Sequence, residues 1–309
     1  MDERKRQWLE KKRRQRRQKV LWIQGILIGI IVILFVICVG VMFLLFWGKE
    51  GVADDVGGKV CSTADGKNGE TGQKEGTGSE QDEADEILDE TMQKLKYFAD
   101  ANQISMSDYP KELIELLRKN SETEEFVWNY PLRKGNYSTG NLTEPLNGEE
   151  IPLIMQWDAR WGYFVYGDNV MGLTGCGPTC LSMVASYLLK DPRLTPLYMA
   201  QYAIDNGYCV AGNGTAWDFM LTGARSLGLN AKEVPLHENT VKQYLQAGKP
   251  IICIMGKGIF TDSGHFIVFS GWKDGKIEIK DPNSREKSEM LWEFQEIQGQ
   301  IKNMWVYTR

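Results

Sequence analysis

Histidine is scarce in this chain, with two residues in 309, and the six cysteines do not compensate for it. Cys209 and Cys253 stand alone, and the one close pair, Cys176 and Cys180, shares a single helical pattern, so no residue set has metal-ligand spacing. Neither a metal nor a cofactor is expected. A phosphate-binding loop is also missing: Ala211-Gly212-Asn213-Gly214-Thr215 has no Lys-Ser/Thr after it and reads as a turn before a helix at Trp217. There is no internal repeat. Positive charge is scarce outside the first 19 residues, whose ten cations and three acids leave 26 cations against 38 acids downstream. Such an acidic remainder has no reason to bind nucleic acid.

The strongest bias lies at the start. Residues 1–19 form a basic tail, and residues 20–47 are almost continuously apolar, long enough to cross a bilayer core of about 30 Å. A signal peptide would have a shorter apolar core and a small-residue cleavage site, whereas this run ends at Phe46-Trp47. The positive-inside rule predicts a single-pass membrane protein with a cytoplasmic N-terminus and the rest of the chain outside. Residues 48–82 are rich in Gly, Glu, Lys, Ser and Thr and contain no aromatics, a composition that buries too little surface to fold, so they read as a disordered linker. Cys61 lies in it. Residues 83–148 form a helical lead-in: Ile87, Met92, Leu95 and Phe98 mark one helix, and Leu113, Leu116 and Leu117 a second that starts near Ser107-Asp108-Tyr109-Pro110. Both helices are expected to pack on the last domain, residues 149–309.

That domain carries the chemistry. In Gly175-Cys176-Gly177-Pro178-Thr179-Cys180, the apolar stripe Cys180, Met183, Val184, Tyr187, Leu188 and the stop at Asp191-Pro192 define a helix that opens at Cys176. Unpaired N–H groups and the positive dipole end of a helix favour thiolate over thiol. Plain packing is the other reading of Cys176, and the better one for Cys180. Gly175 and Gly177 leave room for other backbone or a substrate to approach the sulfur.

A base is available. His265 heads the apolar run Phe266-Ile267-Val268-Phe269, which reads as a buried strand, whereas His237 lies in a polar stretch and reads as surface. A second strand, Lys276-Ile277-Glu278-Ile279-Lys280, ends at Asp281-Pro282-Asn283. A two-residue loop at Asp274-Gly275 would put His265 and Asp281 on opposite faces, while a three-residue loop with left-handed Gly275 puts them on one face, so the three-residue bulged turn is predicted. Asp281 then lies opposite Ile267 and diagonal to His265, within roughly 7–8 Å. A turn-forming Asp before Pro is the alternative for Asp281. Ile251 to Met255 and Met304 to Tyr307 read as further strands, and Val241 to Gln246 as a short helix ending near Gly248.

The order of Cys at a helix start, His at a strand head and then a carboxylate resembles the papain-like cysteine peptidases, and more closely the peptidase C39-like family. The resemblance runs from Ile151 to Arg309, through Gly-Cys-Gly-Pro-Thr at Cys176, Gly-His-Phe-Ile-Val at His265 and Asp-Pro-Asn at Asp281, with His265 coming 89 residues after Cys176. It implies an α+β, papain-like cysteine peptidase fold: a helix carrying Cys176 as nucleophile packs on an antiparallel sheet carrying His265 as base and Asp281 as its orienting acid. Gln156-Trp157-Asp158-Ala159-Arg160-Trp161 is similar to the Gln-x-Asp-x-x-Trp segment of the C39-like branch, which implies that Gln156 helps hold the oxyanion; Gln156 stands 20 residues before Cys176, and aromatic packing under the site weighs equally as its role.

The function implied is that of a membrane-tethered extracytoplasmic cysteine peptidase acting on peptide amides through a thioester. A murein amide hydrolase or transpeptidase with the same site, or a catalytically silent module binding peptide or cell-envelope polymer, are the alternatives. The partners expected are thus a peptide or cell-envelope substrate and the membrane through residues 20–47. Without a nucleotide motif or transporter segment in the sequence, an export-coupled leader peptidase is not expected.

Overall fold

The computed structural model describes residues 79–309, Glu149 excepted, with side chains from Glu90 onward. The basic tail 1–19, the apolar run 20–47, the linker as far as residue 78 and Cys61 lie outside the described residues. Among the described residues no helix is long and apolar enough to cross a membrane.

The lead-in forms helices α1 (Ser79–Ala101) and α2 (Lys111–Lys119). α1 begins four residues ahead of the expected Glu83. Leu95 and Ala99 of α1, with Leu113 and Leu117 of α2, are buried together with Phe126, Val127 and Tyr130 against Met155, Trp157, Tyr163 and Val170. The i, i+4 pairs set these residues on one helix face, and each buried Leu stabilises the contact by about 1.5–3 kcal/mol. The lead-in is thereby joined to the C-terminal region by a core of its own.

Helix α3 (Cys176–Leu189) starts where the sequence places it, with Pro178 in the first turn, where a missing N–H leaves no bond unmade. It ends at Lys190 in the left-handed conformation, φ 56°, ahead of Asp191-Pro192. Cys180, Met183 and Val184 are fully buried.

The domain is built on one six-stranded antiparallel sheet: β1 (Asn230–Glu233), β2 (Ile251–Gly256), β3 (Gly264–Lys273), β4 (Lys276–Lys280), β5 (Leu291–Trp292) and β6 (Ile301–Thr308), in the order β1-β6-β2-β3-β4-β5. Ile252, Ile254, Phe266, Val268, Trp305 and Tyr307 share a core with Cys180, Met183 and Val184 of α3. Their alternates Ile251, Cys253, Ile267 and Phe269 are fully buried as well, so both faces of the central strands are covered and the strands read as unbroken apolar runs. The expected helix at Val241 is α4 (Glu238–Gln246), packed on β2 and β3.

The β3–β4 hairpin departs from the three-residue turn the sequence suggested. Lys273 pairs with Lys276, so the loop is the two residues Asp274 and Gly275, both left-handed at φ 51° and 79°. Asp-Gly suits such a turn because both residues tolerate positive φ. The extra residue sits elsewhere: Phe269 pairs with Ile279 and Gly271 with Glu278, leaving Ser270 as a bulge. That bulge restores the parity that the short turn removes. One step beyond the Val268–Lys280 pair, Asp281 falls opposite Ile267 and diagonal to His265, the expected placement reached by a different route.

Candidate active site

Three elements converge at the tip of β3. His265 is the second residue of β3, and Asp281 follows the last residue of β4. Their side chains meet, with His265 Nε2 at 2.7 Å from Asp281 Oδ1. Asp281 is completely buried and His265 nearly so. Cys176, the first residue of α3, is partly exposed, and His265 draws its thiol toward ionisation. With Nε2 occupied by Asp281, Nδ1 is the ring nitrogen left for the sulfur.

The electrostatics favour charge separation. Burial pushes the Cys176 thiol up, but the hydrogen bond and charge of His265, with the N–H groups of Phe266 and Gly177, outweigh it and bring the thiol below its usual range. Burial likewise works against a charged His265, yet the Asp281 carboxylate, followed by Cys176, raises the imidazolium to about 10. Asp281 resists burial through His265, then Lys287, then the Asn283 N–H, and lies below the usual carboxylate range. The shifts thus draw the thiol toward thiolate, the ring toward imidazolium and the acid toward carboxylate. The other thiols differ: Cys180 and Cys253, buried among apolar groups, are pushed well above the ordinary thiol range. Cys176, Cys180, Cys209 and Cys253 are all free thiols.

The flanking glycines serve the protein's own packing. A Cβ on Gly177 would lie 2.6 Å from Thr215 Oγ1, and one on Gly175 would lie 2.6 Å from the Met171 carbonyl oxygen. Thr215 in turn shares a 2.8 Å hydrogen bond with the buried Tyr166 hydroxyl. Thr215, far along the chain, and Met171, just before the helix, thus lie against the turn that presents Cys176.

Gln156 is buried and braces the site from behind. Its Nε2 donates to the Gly172 carbonyl at 2.9 Å, in the turn before α3, and its backbone N–H donates to the Pro282 carbonyl at 2.8 Å, next to Asp281. Its Oε1 is buried with no hydrogen-bond partner. The Trp157 and Trp161 packing is also present: both are buried, and Trp157 Nε1 donates to the Asn283 carbonyl at 3.3 Å. His237 is exposed, as expected.

Several supporting residues were not singled out from the sequence. Asn283 donates its N–H to Asp281 Oδ1 at 2.8 Å, and Ser288 Oγ accepts the Asp281 N–H at 2.8 Å. From the lead-in, Glu122 accepts hydrogen bonds from Ser284 Oγ and from the N–H groups of Arg285 and Glu286, and Asn120 Nδ2 donates to the Asn283 carbonyl. These four bonds each span some 160 residues, a distance no local pattern reveals. Asn120 and Glu122 in a helix-ending cluster were the available signal. Among the described residues no group of three His, Cys, Asp or Glu side chains is arranged to hold a metal ion.

No curated protein matches this chain. Among solved structures it is similar to a C39-like peptidase from Bacillus anthracis, at 15% identity over 52% of this chain and 96% of that one, with a TM-score of 0.34. It is also similar to the peptidase domain of Streptococcus ComA, a bifunctional ABC transporter involved in a quorum-sensing pathway, at 18% identity over 44% of this chain and 91% of that one, TM-score 0.34. Residues 149–309, just over half of the chain, match the model of the Peptidase_C39 like family, and the chain belongs to that family.

Proposed function

We propose that this protein is a membrane-tethered, extracytoplasmic cysteine peptidase in which Cys176, His265 and Asp281 form the catalytic triad. Family membership supports a cysteine peptidase in general. The observation that carries the finer reading is the imidazole of His265, 2.7 Å from Asp281 and electrostatically coupled to the Cys176 thiol at the head of α3. The tether rests on the apolar run 20–47 behind its basic tail, and the orientation on the positive-inside rule.

The chemistry follows from the charges. The Cys176 thiolate attacks the carbonyl carbon of a peptide bond, and the oxyanion that forms faces the Cys176 N–H at the start of α3. His265 passes its proton to the leaving nitrogen as the C–N bond breaks, which releases an amine and leaves a thioester on Cys176. Neutral His265 then takes a proton from water as the water oxygen attacks the thioester. The second tetrahedral intermediate expels the thiolate and gives a carboxylic acid. Asp281 holds the ring and its tautomer throughout. Gln156 keeps the Gly172 turn and the Pro282 segment in register, so that nucleophile and acid approach the imidazole from fixed positions.

Incubating the purified full chain with a peptide library and, separately, with purified sacculi tests the reading. Peptide cleavage lost in C176A supports it. Release of murein fragments alone favours the cell-wall amide hydrolase, and binding without cleavage in either assay favours a silent module.

A further inference from the structure

The acid of the site is only half satisfied by hydrogen bonds. Asp281 Oδ1 is bonded to His265 Nε2 and the Asn283 N–H, while Oδ2 is buried with no hydrogen-bond partner. Facing Oδ2 at 4.0 Å is Lys287 Nζ, from α5 (Arg285–Ser288). The Lys287 side chain is only 15% exposed. Its position is held from several directions: Nζ reaches the Phe260 carbonyl at 3.5 Å, Ser284 Oγ accepts its N–H at 3.2 Å, and Trp292 Nε1 donates to its carbonyl at 3.0 Å. Glu122 fixes the turn itself through Arg285 and Glu286.

A charge count explains why an ammonium belongs there. Thiolate, imidazolium and carboxylate together carry one net negative charge, and an uncompensated charge in a buried site is costly. On the triad reading above, we propose that Lys287 is a positioning residue of the site, whose ammonium cancels that charge and sets the pH range over which Cys176 is a thiolate. The other charged and titratable groups nearby do not take this role. Cys180, one turn along α3, is a buried neutral thiol. Arg285 lies over the Trp157 ring and 3.8 Å from Glu122, and Lys119 pairs with Asp262 at the surface.

The sign is definite. A nearby cation favours thiolate and disfavours imidazolium, so its removal raises both the pH at which the thiolate forms and the pH at which the imidazolium is lost. Charge acting from roughly 10 Å through an effective dielectric of about 20 moves each midpoint by about one pH unit.

The experiment is the rate of iodoacetamide alkylation at Cys176 against pH, read by peptide mass spectrometry on the full chain, for wild type, K287M, K287Q and K287R. K287Q keeps a donor for the Phe260 carbonyl and serves where K287M loses its native circular dichroism. The expected result is a midpoint raised by about one unit in K287M and K287Q and left at the wild-type value in K287R. Neutral variants that titrate as wild type overturn the inference, and so does K287R shifting with them, since packing rather than charge is then at work. A wild-type Cys176 with no thiolate below the ordinary thiol range overturns the triad reading itself and takes the inference with it.

Discussion

Asp281 Oδ1 lies 2.7 Å from His265 Nε2 although a two-residue turn joins their strands, because the bulge at Ser270 rotates the end of β4 back onto the face of His265. Deleting Ser270 is therefore expected to turn Asp281 away from the imidazole while leaving the Asp274-Gly275 turn intact. Peptidase activity of the deletion should fall to that of D281N; activity near wild type would mean that the bulge does not set the triad.

D281N keeps the shape of the acid and removes its charge. The imidazolium loses its main support, and kcat is expected to fall roughly a hundredfold or more. KM should change little, because Asp281 is buried away from substrate.

Stability should respond to pH in a way particular to a thiolate–imidazolium pair. For His265, raised from 6.5 to about 10, stability is fully present below 6.5 and lost as pH climbs through about 10. For Cys176, lowered from 9.0, stability is present above 9.0 and lost as pH falls through its folded value. Asp281, lowered from 3.8, adds stability that is present above 3.8 and lost below it. Above the folded value of Cys176, and between 6.5 and 9.0, the unfolded chain holds the proton on sulfur and the folded chain holds it on the ring, so the pair takes up no net proton. In C176A the ring alone remains, and stability should decline with pH across that window. Calorimetric Tm of C176A relative to wild type, measured from pH 6 to 9, should drift downward.

Glu122 ties the lead-in to the loop behind Asp281. E122A removes the acceptor of the exposed Arg285 and Glu286 N–H groups and is expected to cost about 0.5–1.5 kcal/mol of stability. Urea unfolding measures this, and an unchanged midpoint would show that the lead-in does not support the site.

Gly177 is predicted to tolerate no side chain. The Cβ of G177A would meet Thr215 Oγ1 at 2.6 Å, and relief requires moving Thr215 or the nucleophile. Overpacking of this kind typically costs about 1–3 kcal/mol. G177A should lose activity, and the double variant G177A/T215G, which removes the Thr215 Oγ1, Cβ and Cγ2 atoms that the new methyl would meet, should recover part of it.

Much of the candidate site was legible because each residue of the proposed triad sits where a local pattern changes. Cys176 is where glycines give way to an apolar helical stripe, His265 is the polar head of an apolar strand, and Asp281 closes a strand before proline. The Ser270 bulge was not legible, since a serine within a run of strand formers carries no mark of an unpaired register position. The roles of Lys287 and Glu122 depend on contacts from separate elements, and Glu122 acts across some 160 residues. The glycines beside Cys176 were visible, but what presses on them, Thr215 and Met171, follows only from the packed fold.

The most direct measurement is the rate of iodoacetamide alkylation at Cys176 near pH 6, in wild type and H265A, with Cys209 in the same molecule as the internal reference. Rapid labelling of Cys176 that collapses in H265A is the predicted result. Slow labelling at the pace of Cys209, indifferent to the loss of the imidazole, would contradict it.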